Sequence, residues 1–165
     1  MKAKNILIIS GRPTSGKTTL IKLICERLQE KRGFKITQKY PANGNDISYC
    51  LTNHSGKTVL IHSAMDDEVR IGELILALED CRKNNIDIDL LITACRNPQD
   101  PMRISALSAL DDYSSIDPER MHSHKPGILE VPLTKALAYD GDYSREWRDA
   151  HMLLVLEQLI DNMLQ

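Results

Sequence analysis

Two apolar patterns alternate along the chain. Short unbroken apolar runs recur at Asn5–Ser10 (N-I-L-I-I-S), Thr58–Ser63 (T-V-L-I-H-S) and Asp89–Cys95 (D-L-L-I-T-A-C). Runs this short and continuous suit strands covered on both faces of a sheet. Longer stretches with helical spacing lie between them. Thr18–Arg32 carries Leu20, Ile21, Leu23, Ile24 and Leu28, with Gly33 as its stop; Asp66–Lys83 carries Ile71, Leu74, Ile75, Leu78 and Cys81.

The remaining elements follow from turn chemistry. Phe34–Tyr40 reads as a second strand ended by Pro41, and Pro41–Asp46 as a loop. Ile47–Asn53 and Lys57–Ser63 read as a hairpin around His54-Ser55-Gly56. A helix is expected over Met102–Leu110, a short strand over Gly127–Pro132, and a closing helix over Ser144–Leu164. That last helix offers Trp147, Leu153, Leu154, Leu156, Leu159 and Ile160 for burial. This alternation predicts one α/β domain over residues 1–165, a three-layer sandwich with a mostly parallel central sheet. Right-handed crossovers bring the loop after the first strand to the carboxyl edge of that sheet.

That loop carries the clearest chemistry. Gly11–Thr18 reads G-R-P-T-S-G-K-T, which meets the pattern G-x-x-x-x-G-K-[S/T] at every fixed position. It stands between a strand and a helix, where backbone N–H groups and the helix dipole can hold phosphate. Lys17 is expected to reach the β- and γ-phosphates and Thr18 to hold Mg²⁺. On Gly11, Gly16, Lys17 and Thr18 with their flanking elements, the chain resembles the P-loop NTPase superfamily over about its first 35 residues. The resemblance implies a nucleoside triphosphate, usually ATP or GTP, with magnesium. It makes Gly11, Arg12, Pro13, Thr14, Ser15, Gly16, Lys17, Thr18 and Thr19 the expected nucleotide-binding set. Arg12 can face the nucleotide or solvent.

Phosphate loops of this kind need an acidic group from another strand. The Leu90–Thr93 strand ends in Ala94-Cys95-Arg96 with no acid, whereas Thr58–Ile61 runs on to Asp66-Asp67. Asp66 is therefore the first candidate for ordering the metal or the nucleophile, with Asp67 next. Both also suit the cap and first turn of the following helix. Arg96, at a strand's carboxyl end, can clamp a phosphate or pair with Asp100. Lys17, Asp66 and Arg96 form the candidate catalytic set, and Thr18 and Asp66 the candidate metal set.

Asp111–Pro126 is polar and irregular, with Arg120, His122, His124 and Lys125. In position and charge, the stretch from Arg103 to about residue 126 resembles the mobile lid of small phosphate-loop kinases; a plain surface loop is the alternative. His122-Ser123-His124 lacks the partners of a known metal site.

Composition narrows the function classes. The chain has 165 residues and a formal net charge of −2, with aromatics at 4%. Neither a stacking platform for single strands nor strong non-specific nucleic-acid binding fits those values. Cys25, Cys50, Cys81 and Cys95 are widely spaced, which suits reduced thiols in a cytoplasmic protein. No apolar run reaches the length of a membrane span. The leading expectation is an ATP-binding small kinase transferring the γ-phosphate to a nucleoside, nucleotide or modified DNA base. The alternative is a nucleotide-dependent switch or partner-regulated ATPase. No N-K-x-D sequence favours GTP.

Overall fold

A computed structural model of the chain describes residues 3–111, 127–133 and 141–165. Its elements are β1 (Asn5–Gly11), α1 (Lys17–Arg32), β2 (Lys35–Lys39), β3 (Ser48–Thr52) and β4 (Thr58–His62). They continue with α2 (Glu68–Lys83), β5 (Leu90–Cys95), α3 (Met102–Asp111), β6 (Ile128–Leu133) and α4 (Gly141–Met163). The strands form one six-stranded sheet in the order β2-β3-β4-β5-β1-β6. The pairs β4–β5, β5–β1 and β1–β6 are parallel, and β2–β3 and β3–β4 antiparallel. The predicted sandwich is the observed fold.

Alternation within the apolar strands divides the core. Leu7 and Ile9 of β1, Val59 and Ile61 of β4, and Leu90, Ile92 and Ala94 of β5 meet α1 and α4 on one face. Ile6 and Ile8, Leu60, and Leu91 and Cys95 meet α2 and α3 on the other. Successive strand residues point to opposite faces, so a continuous apolar run fills both layers at once. Each fully buried Ile or Leu contributes roughly 1.5–3 kcal/mol by leaving water.

The hairpin register pairs Ser48 with His62 and Thr52 with Thr58. Its turn is held by Asn53 Oδ1, which accepts from the backbone N–H groups of Ser55 at 3.0 Å and Lys57 at 2.9 Å. β2 is an edge strand with alternating exposed and half-buried residues, shorter than the expected Phe34–Tyr40. The closing helix corrects one expectation. Leu153, Leu156 and Ile160 are buried, but Trp147 and Leu154 are each 65% exposed. Only one stripe of α4 can face α1 and the sheet, and those two residues lie off it. All four cysteines are free and buried, and among the described residues no helix is long and apolar enough to cross a membrane.

The neighbours β1 and β5 lead into helices on opposite faces, α1 and α3. Ligands of open α/β sheets bind at such a reversal, outside the carboxyl ends of the strands. Gly11–Lys17 and Arg96 both lie there.

Candidate functional site

The loop between β1 and α1 is shaped by close approach. A Cβ on Gly11 would stand 2.7 Å from the Leu133 carbonyl oxygen and 2.8 Å from Ser15 Oγ, so no larger residue fits against the end of β6. Farther along, Thr14 has φ 59° and Gly16 φ 93°. Left-handed residues on either side of Ser15 turn the backbone into a concave loop, a conformation that costs about 1–2 kcal/mol at a threonine.

The start of α1 is chemically incomplete. Gly16 is its N-cap with no side-chain cap, and its first turn contains no acid. The first N–H groups of a helix need an acceptor, and the positive end of its dipole favours an anion. α2 makes the contrast. Its N-cap is Asp67, whose Oδ1 accepts from the Arg70 N–H at 2.9 Å, and Glu68 lies in its first turn. One helix supplies its own anion; the other leaves the place for a phosphate.

Lys17 is buried and folds back over the loop, donating to the carbonyls of Gly11 at 3.2 Å and Arg12 at 3.0 Å. Burial pushes its ammonium below the ordinary lysine range, and the Asp66 carboxylate pulls the other way. Asp66 Oδ1 lies 4.0 Å from Lys17 Nζ and 3.0 Å from Arg96 Nε. Arg96 Nε is also 3.9 Å from Asp100. The structure thus brings the candidates Lys17, Asp66 and Arg96 together, and of the two readings of Arg96 its ion pair with Asp100 is present, with Asp66 as a nearer partner that the sequence did not single out.

The Asp66–Arg96 contact is coulombic, because Asp66 Oδ1 and Arg96 Nε both lack an aligned hydrogen bond. Among the described residues, Ser15 Oγ, Asp66 Oδ1 and Arg96 Nε make up three of the five buried side-chain atoms without such a partner. Buried polar groups are normally satisfied, and unsatisfied ones gathered at one sheet edge fit a polar ligand. Together with the uncapped α1 terminus, these atoms fit a polyphosphate.

Asp67 is held differently from Asp66. It caps α2, and its carboxylate also pairs with the Arg70 guanidinium. The Arg70 backbone N–H, and then its guanidinium, hold that carboxyl below the usual range. Arg12, Pro13, Thr14 and Thr19 are exposed at the loop surface.

One acid escaped the sequence reading. Asp46, taken there only as loop, has Oδ1 3.2 Å from both the Thr18 hydroxyl and the Ser63 hydroxyl, and Oδ2 2.8 Å from Arg70 Nε. Its side chain is 11% exposed. The antiparallel course of β3 explains its place. A strand running against β4 starts at β4's carboxyl end, so the residues before Ser48 arrive at the ligand edge. The only available sign was an Asp just before the hairpin's first arm. A hydroxyl and a carboxylate side by side are oxygen donors suited to a hard cation, so the residues fit Mg²⁺ held with phosphate.

A cavity of about 400 Å³ adjoins the loop, lined by Ser10, Gly11 and Arg12, by Asn97–Gln99 and by Pro132 and Leu133. Arg103, the first residue of the expected lid, is instead part of α3 and forks onto Glu130 at 2.9 and 2.6 Å. The rest of that segment from residue 112, with Arg120, His122, His124 and Lys125, lies outside the described residues.

A protein-family model described as NTPase matches residues 6–99, more than half of the chain. No curated protein matches it significantly. A solved structure described as "Crystal structure of APE1195" is similar at 14% identity and a TM-score of 0.39, over 99% of this chain and 76% of that one.

Proposed function

The chain belongs to the NTPase family, a family of nucleotide-binding P-loop proteins, and from that premise we propose that it cleaves the γ-phosphate of ATP or a related nucleoside triphosphate with Mg²⁺. The observation that carries this is the start of α1, a helix with no side-chain cap and no first-turn acid that presents Lys17 and Thr18 opposite Asp66 and Asp46. The loop N–H groups bind the phosphates. Lys17 leaves the Gly11 and Arg12 carbonyls for the β- and γ-phosphates. Thr18, with Asp46 beside it, holds Mg²⁺, which offsets charge on the phosphates when bound. Asp66 orders the nucleophile, and Arg96 gains the hydrogen bonds it lacks by turning to the γ-phosphate.

The family supports water as the acceptor. The cavity beside Gly11 favours a second reading, kinase transfer to a small acceptor such as a nucleoside or nucleotide, because it leaves room next to the phosphate loop. Four buried free cysteines support a reducing, cytoplasmic compartment.

Phosphate release from each common nucleoside triphosphate, with Mg²⁺ and with EDTA, tests the proposal. Mass spectrometry of the products with nucleosides, nucleotides and oligonucleotides present tests the acceptor. Metal-dependent phosphate release without an acceptor supports hydrolysis, and a phosphorylated acceptor supports the kinase. Stimulation by a protein partner points to a regulated switch. Neither binding nor turnover with any triphosphate overturns the reading.

A further inference from the structure

The loop that carries Arg96 has left the sheet. β1 and β5 are in register up to Ser10 and Cys95, so the Arg96 carbonyl lies just past the last pair. A side chain takes it instead. Arg103 Nη1, from the first turn of α3, donates to that carbonyl at 3.1 Å. The same guanidinium forks onto Glu130 of β6, with Nη1 2.9 Å from Oε1 and Nη2 2.6 Å from Oε2. Arg103 thus links the end of β5 to β6 across β1, which lies between them. Asp100 ties the other end of the loop to the same helix. Its Oδ1 accepts from the Met102 N–H at 3.0 Å, and its backbone carbonyl accepts from the Arg103 N–H at 3.1 Å.

An ion pair is a poor choice for this place if cover is all it supplies. Glu130 is in register with Ile8, on the face that Ile6 and Ile8 present to α2 and α3. The Arg103 and Glu130 side chains are largely covered, at 15% and 31% exposure. Two apolar residues would cover such a place with less desolvation. What they lack is a directed N–H. A carboxylate that grips both Nη groups fixes the plane of the guanidinium. That leaves an Nη1 hydrogen aimed at the Arg96 carbonyl. Arg103, and after it the Ser10 hydroxyl, hold the Glu130 carboxyl below its ordinary 4.5. Beyond the held carbonyl, Arg96 Nε reaches Asp66 at 3.0 Å without an aligned hydrogen bond. The place of that guanidinium follows from its backbone, and Arg103 fixes the backbone.

We propose that Arg103 is a positioning residue for Arg96, oriented by Glu130, and that the pair holds the Arg96 backbone where its guanidinium meets the γ-phosphate. The proposal rests on the nucleotide reading above, in which Arg96 turns to that phosphate. It makes the first turn of α3 part of what tells a triphosphate from a diphosphate.

The test uses the whole chain and calorimetry, with a nonhydrolysable ATP analogue and ADP as probes, each with Mg²⁺. Arg96→Ala is expected to lower the triphosphate-to-diphosphate affinity ratio about tenfold. The double variant Arg103→Met/Glu130→Gln removes both charges together, so neither is left unpaired. It is expected to lower the ratio by about the same factor, with ADP affinity unchanged. Added to Arg96→Ala, it should change the ratio less than about twofold further. Arg103→Lys keeps the ion pair, and with it the fold. A lysine cannot fork onto Glu130 and meet the carbonyl in one plane, so its ratio should fall about threefold. The wild-type ratio in Arg96→Ala, in Arg103→Lys or in a folded double variant overturns the proposal. So does a double-variant loss that multiplies with that of Arg96→Ala or weakens ADP equally. A wild type that binds neither probe overturns the nucleotide reading as well.

Discussion

Thr18 and Asp46 are 28 residues apart in sequence, yet the Thr18 hydroxyl lies 3.2 Å from Asp46 Oδ1. The other Asp46 oxygen is fixed by Arg70 at 2.8 Å, so helix α2 holds the acid that faces helix α1. Asp46→Asn should therefore weaken the response to Mg²⁺. We expect the concentration needed for half-maximal turnover to rise about tenfold or more, with nucleotide affinity in EDTA unchanged. Manganese titration of the nucleotide complex followed by EPR reads the metal directly. An unaltered manganese affinity would remove Asp46 from the metal's surroundings.

Lys17→Ala should cost binding and spare the fold. Burial already disfavours the Lys17 ammonium, so its removal relieves a desolvated charge, which offsets the loss of its hydrogen bonds to the Gly11 and Arg12 carbonyls. Calorimetric titration with Mg-ATP should give an affinity at least about tenfold weaker, with a melting temperature no lower than that of the wild type. Equal affinity would take Lys17 out of the site.

Asp66 and Asp67 are neighbours with different partners, so their variants should separate. Asp66→Asn removes the charge facing Lys17 and Arg96 and should lower kcat about tenfold or more, with a smaller change in nucleotide affinity. Asp67→Ala removes the α2 cap and should cost about 1 kcal/mol in urea unfolding, with kcat changed less than about threefold. The reverse pattern would exchange their roles.

His62 gives a stability signature. It is buried, with Nδ1 3.1 Å from Ser48 Oγ and Nε2 3.0 Å from the Arg70 carbonyl, and burial lowers its pKa below the ordinary 6.5. The unfolded chain then binds more protons than the folded one between the folded value and 6.5. Stability is full above that window and falls as pH drops through it. The carboxyls that the fold depresses, such as Asp89 and Glu130, start from ordinary values of 3.8 and 4.5. Their contribution is still present at about pH 5.5. Urea midpoints should thus be lower at about pH 5.5 than at about pH 7.5, and His62→Gln should flatten the difference. An identical pH dependence in that variant would assign the effect elsewhere.

Much of the architecture is local in origin. The run Ile6–Ile9 suits a strand covered on both faces, and helical spacing marks Leu20–Leu28 and Ile71–Cys81. Observed ends differ from the predicted ones by a few residues, as at α4, which starts at Gly141 rather than Ser144. End positions depend on capping and packing more than on pattern. The exposure of Trp147 and Leu154 had the same cause, since spacing offers several faces of a helix and only docking on α1 selects one.

The sequence by itself determined the phosphate loop and the elements around it, because a loop that binds phosphate through its own backbone needs its glycines, lysine and threonine contiguous. It also placed Asp66 and Arg96 at strand ends without deciding their partners. Only the tertiary structure decided that Asp66 faces Lys17 while Asp67 caps α2, that the antiparallel β3 delivers Asp46 to Thr18, and that the packing of α3 lays Arg103 against the Arg96 carbonyl. Strand order, strand direction and helix register are set by the burial of whole faces, and no short run of residues encodes them.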